Sequence, residues 1–492
     1  MDQYWFVSNI ESDKLIITKV DDVHLHVDCE NSIRKELMEF FSFTVPGAHF
    51  MPSVRNKVWD GKIRLYDGRT KKIYLGLLPY ILKFAKERKY NCDIDFELTL
   101  NNISKIEAEE FIEKELSPKF TPHDYQIDSF VHCIRNKRAL ILSPTGSGKS
   151  FIIYSVIKWI NKKTLIVVPT TSLVDQMRQH FISYGCDEND IHIIRGGKEK
   201  TTNRPIVIST WQSIYKMPKA YFDDYSVVVG DECHLFKAKS LTTLMEKMVN
   251  CKYRFGFTGS LDGTHCHKLV LEGLFNTTKE FIKTKKLIDT KRLSDFEIKC
   301  LVLKYNKNEC RDVSKLNYQG ELDFIVRHER RIKFIRNLAL SLKGNSLLLF
   351  QFVDKHGKVL YNEINKYSND DRRVFFIHGG IDADERERIR EITERSLDAI
   401  IVASYGTFST GVDIINLHNV VFCSPYKSRI KNLQSIGRVL RKGESKDTAI
   451  LFDIADDLRV GKKANHTLKH FAQRVQLYCE QDFPFKTYNI DI

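Results

Sequence analysis

SPTGSGKS, Ser143–Ser150, follows the apolar run ALIL and leads into the apolar segment FIIYSVI. A strand that turns through glycines into a helix is the setting a phosphate-binding loop needs. Gly146 and Gly148 let backbone N–H groups close round phosphate oxygens at the helix N-terminus, with Pro144, Thr145 and Ser147 completing the turn. Lys149 adds a point charge, and the Ser150 hydroxyl is of the kind that ligates Mg²⁺. The strict pattern has Gly where this chain has Ser143. About eighty residues on, SVVVGDECH (Ser226–His234) is an apolar strand ending in acid. There Asp231 suits Mg²⁺ through its water shell, and Glu232 suits the orientation and deprotonation of an attacking water. Either motif alone fits a structural turn; the two in this order and spacing read as a nucleoside triphosphatase.

The flanking sequence sets the frame. ALILSP, TLIVVP, IHIIRG, PIVIST, SVVVGDE and YRFGFTGS are short apolar runs separated by helix-patterned segments such as SLVDQMRQHF. That alternation predicts a parallel sheet covered by helices on both faces. After a charge-rich connection over Lys283–Leu301 the pattern resumes with NSLLLFQF, RVFFIHGG, DAIIVAS, NVVFCSP and TAILFDIAD. Within it, DADERERIREITER places Asp382 as an N-cap with Glu385 three residues later. The predicted class is α/β, with two consecutive parallel-sheet lobes behind a smaller N-terminal α/β module. The expected bounds are 1–115, 116–283 and 284–492, the first ahead of Pro118 and Pro122.

The chain has 492 residues and a formal net charge of +14, the sign expected for a nucleic-acid or anionic-surface partner. No run of 18 apolar residues occurs and no signal-like stretch opens the chain, so a soluble, cytoplasmic protein is expected. Eleven cysteines include no CxxC pair, which disfavours disulfide frameworks and zinc ribbons. His265-Cys266-His267 has no second ligand group at a standard spacing, so no metal site is expected there.

Positive charge concentrates in RNKVWDGKIRLYDGRTKK, Arg55–Lys72, where seven of eighteen residues are basic. Val58, Trp59, Ile63, Leu65 and Tyr66 give it the apolar content of a packed hairpin, and Asp60-Gly61 and Asp67-Gly68 give it two turns. Arg55, Lys57, Lys62, Arg64, Arg69, Lys71 and Lys72 are candidates to neutralise phosphates. Trp59 and Tyr66 either stack on exposed bases or form the core of the module.

GDECH resembles motif II of the superfamily 2 helicases in its DExH form, and other positions agree with that family. The resemblance runs from about Phe120 to Asp456 and implies two RecA-like lobes. PHDYQ resembles the adenine-recognising segment, with Gln126 reading the base edge. VVPTTSLVDQM resembles motif Ia and ISTWQS motif Ib, which implies that Thr170 and Thr210 grip a nucleic-acid backbone. Gly197, in the intervening RGGKEKTTNR loop, belongs to the same candidate surface, and the loop's Arg195, Lys198, Lys200 and Arg204 are either solvated or in contact with phosphates. TGS, Thr258–Ser260, resembles motif III, and LLLFQFVDKHG resembles motif IV. SYGTFSTGVDI stands at the family's motif V position, which implies backbone contacts from Thr410 and Gly411 and a contact from Asp413 to the nucleotide sugar or to the arginine finger. QSIGRVLRK, Gln434–Lys442, resembles motif VI. That resemblance implies that Gln434 contacts the nucleotide and that Arg438 and Arg441, at i, i+3 on one helix face, reach the γ-phosphate; Arg441 is the candidate finger, with Arg438 the alternative.

The motor motifs do not separate DNA from RNA enzymes. Phe40–Lys72, with its Trp-Asp-Gly turn and basic strand, resembles the N-terminal region of the UvsW-type phage recombination helicases, and the helix HTLKHFAQRVQLYCEQDF fits the same family. That resemblance implies a double-strand-binding module ahead of an ATP- and Mg²⁺-dependent motor. It implies fork regression, junction branch migration and R-loop or fork unwinding in phage replication, recombination and repair. The expected partners are branched DNA, single- and double-stranded, and replication or recombination proteins, with no membrane, a monomeric chain and, for a phage protein, the host cytoplasm. The alternative is an RNA helicase or an enzyme that unwinds RNA–DNA hybrids.

Overall fold

The computed structural model describes residues 13–97, 100–116, 120–196, 199–369, 371–407, 414, 416–442, 446 and 448–492. Among the candidate residues, Gly197, Lys198, Thr410, Gly411 and Asp413 lie outside this set. Two compact units result: the residues up to Ser143 with Gly148–Phe281, and Ile282–Ile492 with the short Pro144–Ser147.

The first unit opens with β1 (Lys14–Lys19), β2 (His24–Asp28), β3 (Ser42–Thr44), β4 (Lys62–Arg64), β5 (Tyr66–Asp67), β6 (Lys72–Tyr74) and β7 (Asn91–Ile94). β3 and β4 pair with each other, and the rest form a sheet in the order β5-β6-β2-β1-β7, antiparallel except where β7 joins β1. Alternation puts Leu15 and Ile17 of β1 into the core, where Ile33 and Leu37 of helix Asn31–Phe40 and Ile81 and Phe84 of helix Leu78–Arg88 cover them. That core also takes in Leu269 and Val270 of helix His265–Phe275, so the module is packed against the motor lobe of the same unit. The Tyr74 hydroxyl donates to the Glu246 carboxylate at 2.5 Å, the Tyr80 hydroxyl to Glu272 at 2.5 Å, and the Asp22 N–H to the Val249 carbonyl at 2.9 Å.

The first parallel sheet comprises β8 (Arg138–Leu142), β9 (Thr164–Val168), β10 (Ile191–Ile194), β11 (Ile206–Thr210), β12 (Val227–Asp231), β13 (Tyr253–Thr258) and β14 (Thr278–Glu280), in the order β10-β11-β9-β12-β13-β8-β14. Each of the six apolar runs read from the sequence here is a strand. Both faces are covered, which is why whole strands such as β9 are buried. Ala108, Ile112 and Leu116, ahead of Phe120, belong to this sheet's core and not to the module's.

The second unit repeats the plan with β15 (Asp295–Lys304), β16 (Ser346–Phe350), β17 (Val374–Ile377), β18 (Ile400–Ser404), β19 (Asn419–Phe422), β20 (Thr448–Asp457) and β21 (Phe485–Asp491), ordered β17-β18-β16-β19-β20-β15-β21 and parallel throughout. Numbered along the chain, both sheets run 3-4-2-5-6-1-7. One expectation fails: the charged connection Lys283–Leu301 contains most of β15, an interior strand. Its polar Asp295, Glu297 and Lys299 alternate with buried Phe296, Ile298 and Cys300, and this alternation hides the strand among charges. Arg331 and Asp456 form a fully buried ion pair at 2.7 Å, and Arg474 of helix His466–Glu480 forms another with Asp453 of β20 at 2.8 Å. Asp382 accepts from the Glu385 N–H at 2.7 Å, as its predicted N-cap position requires. Among the described residues, no helix is long and apolar enough to cross a membrane.

Candidate functional site

β8 ends where the Ser143 N–H donates to the Thr258 carbonyl at 2.8 Å, tying the start of the loop to β13. Gly146 and Gly148 both take the left-handed conformation, φ 81° and 79°, and helix Lys149–Ile160 begins directly after the second. Gly148 is required twice over: a Cβ there would also fall 2.2 Å from Gln126 Nε2. The structure thus brings the Gln126 side chain against the phosphate-loop backbone, while its Oε1 accepts from the His123 N–H at 2.9 Å.

Asp231 closes β12 and is only 7% exposed. Burial pushes its carboxyl up to about 6, against the pull of the nearby Lys149 ammonium, and the Glu232 charge adds to the rise. Lys149 Nζ lies 3.4 Å from Glu232 Oε1, and Glu232 itself is left-handed at φ 48°. A charged carboxylate held in low dielectric beside a second acid, with a serine hydroxyl at the start of the adjacent helix, is a donor set that a hard divalent cation fits. His234, the last residue of GDECH, reaches Glu232 Oε2 at 3.3 Å and Thr258 Oγ1 at 2.9 Å. Thr258 in turn donates to the Ser260 carbonyl at 3.0 Å, so His234 beside the acid pair is hydrogen-bonded into the TGS segment. Sequence reasoning missed Tyr184, whose hydroxyl lies 3.0 Å from Ser150 Oγ. Thirty-four residues separate the two, and no local spacing signals the contact.

Thr210 ends β11, and Thr170 caps helix Thr171–Ser183 just past β9, the neighbouring strand, so both stand at the C-terminal edge of the sheet. The Thr210 side chain is 5% exposed and spends its hydroxyl on Ser213 at 2.9 Å; Thr170 is half-buried. In the following loop, Arg195 pairs with Asp175 at 2.7 Å and Arg204 donates to the Ile191 carbonyl at 2.5 Å.

In the basic module the choice between core and stacking divides. Tyr66 is buried and donates its hydroxyl to the Val27 carbonyl at 3.0 Å, so it is core. Trp59 stays half-exposed with its indole N–H on the Lys62 carbonyl at 3.0 Å, and Val58 is 81% exposed, so the packed hairpin expected over this stretch excludes its first apolar residue. Arg55, Lys57, Lys62, Arg69 and Lys72 are exposed. Arg64 pairs with Asp60, and Lys71 donates to Asp28 at 2.5 Å. Arg64 and Lys72 line one groove of about 340 Å³ with His24, Thr70 and Glu246.

In the second unit, Gln434 and Arg438 lie half-buried on helix Arg429–Val439. The shared helix face expected for Arg438 and Arg441 is not formed, because the helix ends at Val439 and Arg441 enters a β-bridge with Leu293. The Ser294 N–H draws the chain out of the helix by donating to the Leu440 carbonyl at 2.8 Å. Lys446, almost fully buried, donates to the Val439 and Arg441 carbonyls, the latter at 3.1 Å, and burial depresses its ammonium to about 7. It caps the helix C-terminus and fixes the turn that carries Arg441.

Three family models match the chain: DNA helicase UvsW, N-terminal, over residues 15–95; type III restriction enzyme, res subunit, over 119–262; and helicase conserved C-terminal domain over 330–443. The chain is 33% identical over 500 residues to the ATP-dependent DNA helicase uvsW of Enterobacteria phage T4, covering 96% of this chain and 98% of that one. It is 23% identical over 462 residues to the DNA 3'-5' translocase XPB2 of Sulfurisphaera tokodaii, covering 85% and 96%. The crystal structure of T4 UvsW superposes with a TM-score of 0.51 at 31% identity, over 97% of this chain and 99% of that one. By sequence and by fold, the chain belongs to the UvsW family of superfamily 2 DNA helicases.

Proposed function

We propose that the chain is an ATP-dependent DNA helicase and translocase that remodels branched DNA, through fork regression, junction branch migration and unwinding of forks or R-loops. One observation carries the reading: Lys149, which follows the glycine-rich turn, and the acids Asp231 and Glu232 share a compact unit with a basic N-terminal module packed on the same lobe.

In this reading Gln126 selects adenine, and Pro144, Thr145, Gly146, Ser147, Gly148 and Lys149 hold the phosphates of ATP. Ser150 and, through water, Asp231 would hold Mg²⁺, which would supply neutralisation of phosphate charge. Glu232 takes a proton from water as its oxygen bonds to the γ-phosphorus and the bond to the β-phosphate oxygen breaks, giving ADP and phosphate. Arg438, Arg441, Gln434 and Asp413 complete the nucleotide contacts. Thr170, Gly197, Thr210, Thr410 and Gly411 grip the backbone of a translocating strand, and Arg55, Lys57, Lys62, Arg64, Arg69, Lys71 and Lys72 bind the duplex. Functionally the chain is assigned as a duplex-binding part, 1–115, an ATP-binding lobe, 116–283, and a C-terminal lobe, 284–492, acting as a monomer in the cytoplasm beside replication and recombination proteins.

The test is steady-state ATP hydrolysis with forked DNA, structured RNA or no nucleic acid. Stimulation by the fork and not by RNA is expected, with Lys149→Ala inactive but still binding DNA. Equal stimulation by RNA would overturn the DNA assignment.

A further inference from the structure

Because both sheets follow one strand order, the C-terminal end of β15 in the second unit holds the place that the end of β8 holds in the first, where the phosphate loop begins. At that place lies an open groove of about 590 Å³ between the ends of β15 and β20. Lys304, Lys307, Arg311 and Arg459 line it. Beyond Arg459 the chain makes a tight turn, closed by the Val460 N–H to the Lys463 carbonyl at 3.3 Å and the Lys463 N–H to the Val460 carbonyl at 3.1 Å, with Gly461 at φ 58°. It leaves Lys462 and Lys463 exposed beside the rim. Among the described lining residues the one acid is Asp457, which Lys304 and Arg459 already neutralise, Arg459 Nε at 2.7 Å. Glu309 nearby is turned to His328 at 3.1 Å and Arg330 at 2.7 Å.

The same position in the two sheets has different chemistry. Where the first sheet has glycines, the second has Asn306, whose side chain accepts from the N–H groups of Asn308 at 3.1 Å and Glu309 at 2.9 Å, while Glu309 accepts from the Asn306 N–H at 3.3 Å. This capping box closes the helix start against a nucleotide and leaves long cationic side chains as the donors. Such side chains suit a string of phosphates contacted by charge. The groove opens on the edge where β16 runs into Gln351 of motif IV, three strand spacings from β15, about 14 Å. We infer that this groove is a second DNA site, which takes the phosphodiester backbone of another arm of a branched substrate. The inference rests on the helicase reading above and adds to it a contact outside the family motifs and outside the N-terminal module.

The experiment uses the full chain with Lys307→Ala, Arg311→Ala and Lys462→Ala combined. Fluorescence anisotropy with a three-way junction and with a single strand is measured across a salt series, beside single-strand-stimulated ATP hydrolysis. Weaker junction binding is expected, with the slope of log Kd against log salt reduced by about 2 to 3, near 0.9 per lost phosphate contact. Single-strand affinity and ATP turnover stay at the wild-type level. An unchanged junction slope overturns the site. If the triple variant melts at lower temperature, the charge-keeping Lys307→Arg, Arg311→Lys, Lys462→Arg variant decides: a restored slope supports the groove, an unrestored one overturns it. Absence of DNA-stimulated hydrolysis in the wild type would instead defeat the helicase reading, since the slope is read without ATP.

Discussion

In the first sheet the buried arginines give their N–H groups to main-chain carbonyls: Arg254 to Leu274, Met248 and Met245, and Arg138 to Leu274 and Asp22. Beside the second sheet, Arg331 and Arg474, both on helices, give theirs chiefly to the Asp456 and Asp453 carboxylates, with one Arg474 N–H on the Tyr426 carbonyl at 3.3 Å. One strand order is therefore held by two kinds of buried cation. The first kind ties the C-terminal ends of helices Lys239–Lys247 and His265–Phe275 to the sheet, and through Asp22 it fastens the N-terminal module to the motor. Its cost is visible in Arg138, which burial drives down to about 9. The second kind is charge-neutral and pins the C-terminal helix to β20. The candidate chemistry divides likewise: the first sheet carries the candidate phosphate loop and acids, the second the candidate arginines Arg438 and Arg441 and a basic groove at the equivalent strand end.

The largest effect expected from disturbing this division is in turnover. Lys149→Ala should reduce ATP hydrolysis to background in a phosphate-release assay while DNA affinity holds. Arg441→Ala should lower kcat by about 10³-fold or more if its guanidinium meets the γ-phosphate; a drop of a few-fold, with the large loss in Arg438→Ala, would move the finger to the helix residue.

Next comes stability. Asp453→Ala strands Arg474 in the core and should cost about 3–5 kcal/mol in denaturant unfolding. Arg254→Met, which leaves carbonyls and no charge unpaired, should cost about 1–3 kcal/mol. Equal costs would erase the contrast between the sheets. Asp231 yields a pH signature. Its folded carboxyl titrates near 6, above the ordinary 3.8, so its contribution to stability is full below 3.8 and is lost as pH rises through 6. Asp231→Asn should therefore melt higher than wild type at pH 8, by roughly 3 kcal/mol at most, and match it at pH 3.5. The smallest effect is at Tyr184→Phe, which releases the Ser150 hydroxyl and should lower KM for MgATP a few-fold with kcat held.

Much of the fold is legible in the sequence alone, and so is the geometry of the candidate phosphate site. The apolar runs of both sheets are unambiguous because parallel strands are buried on both faces, and glycine, lysine and paired acids at fixed offsets announce the phosphate site. The hidden parts have physical reasons. β15 alternates charged with apolar residues and reads as a linker. Arg441 leaves its helix because of a bridge to Leu293, nearly 150 residues earlier, which no local pattern reports. The Tyr184–Ser150 contact, the docking of Tyr74 on Glu246 and the groove between β15 and β20 join segments distant in the chain. Tyr66 is told from a stacking residue by its burial and by its hydroxyl, which sits on the Val27 carbonyl.

Remodelling of branched DNA requires that ATP hydrolysis in the first sheet be coupled to movement of DNA. Conversion of a model replication fork to its regressed form, followed with labelled strands, measures that coupling directly. ATP-dependent conversion that disappears in Lys149→Ala and in the variant lacking its motif VI finger is the predicted result. Brisk fork-stimulated ATP turnover with every strand left in its original pairing would contradict it.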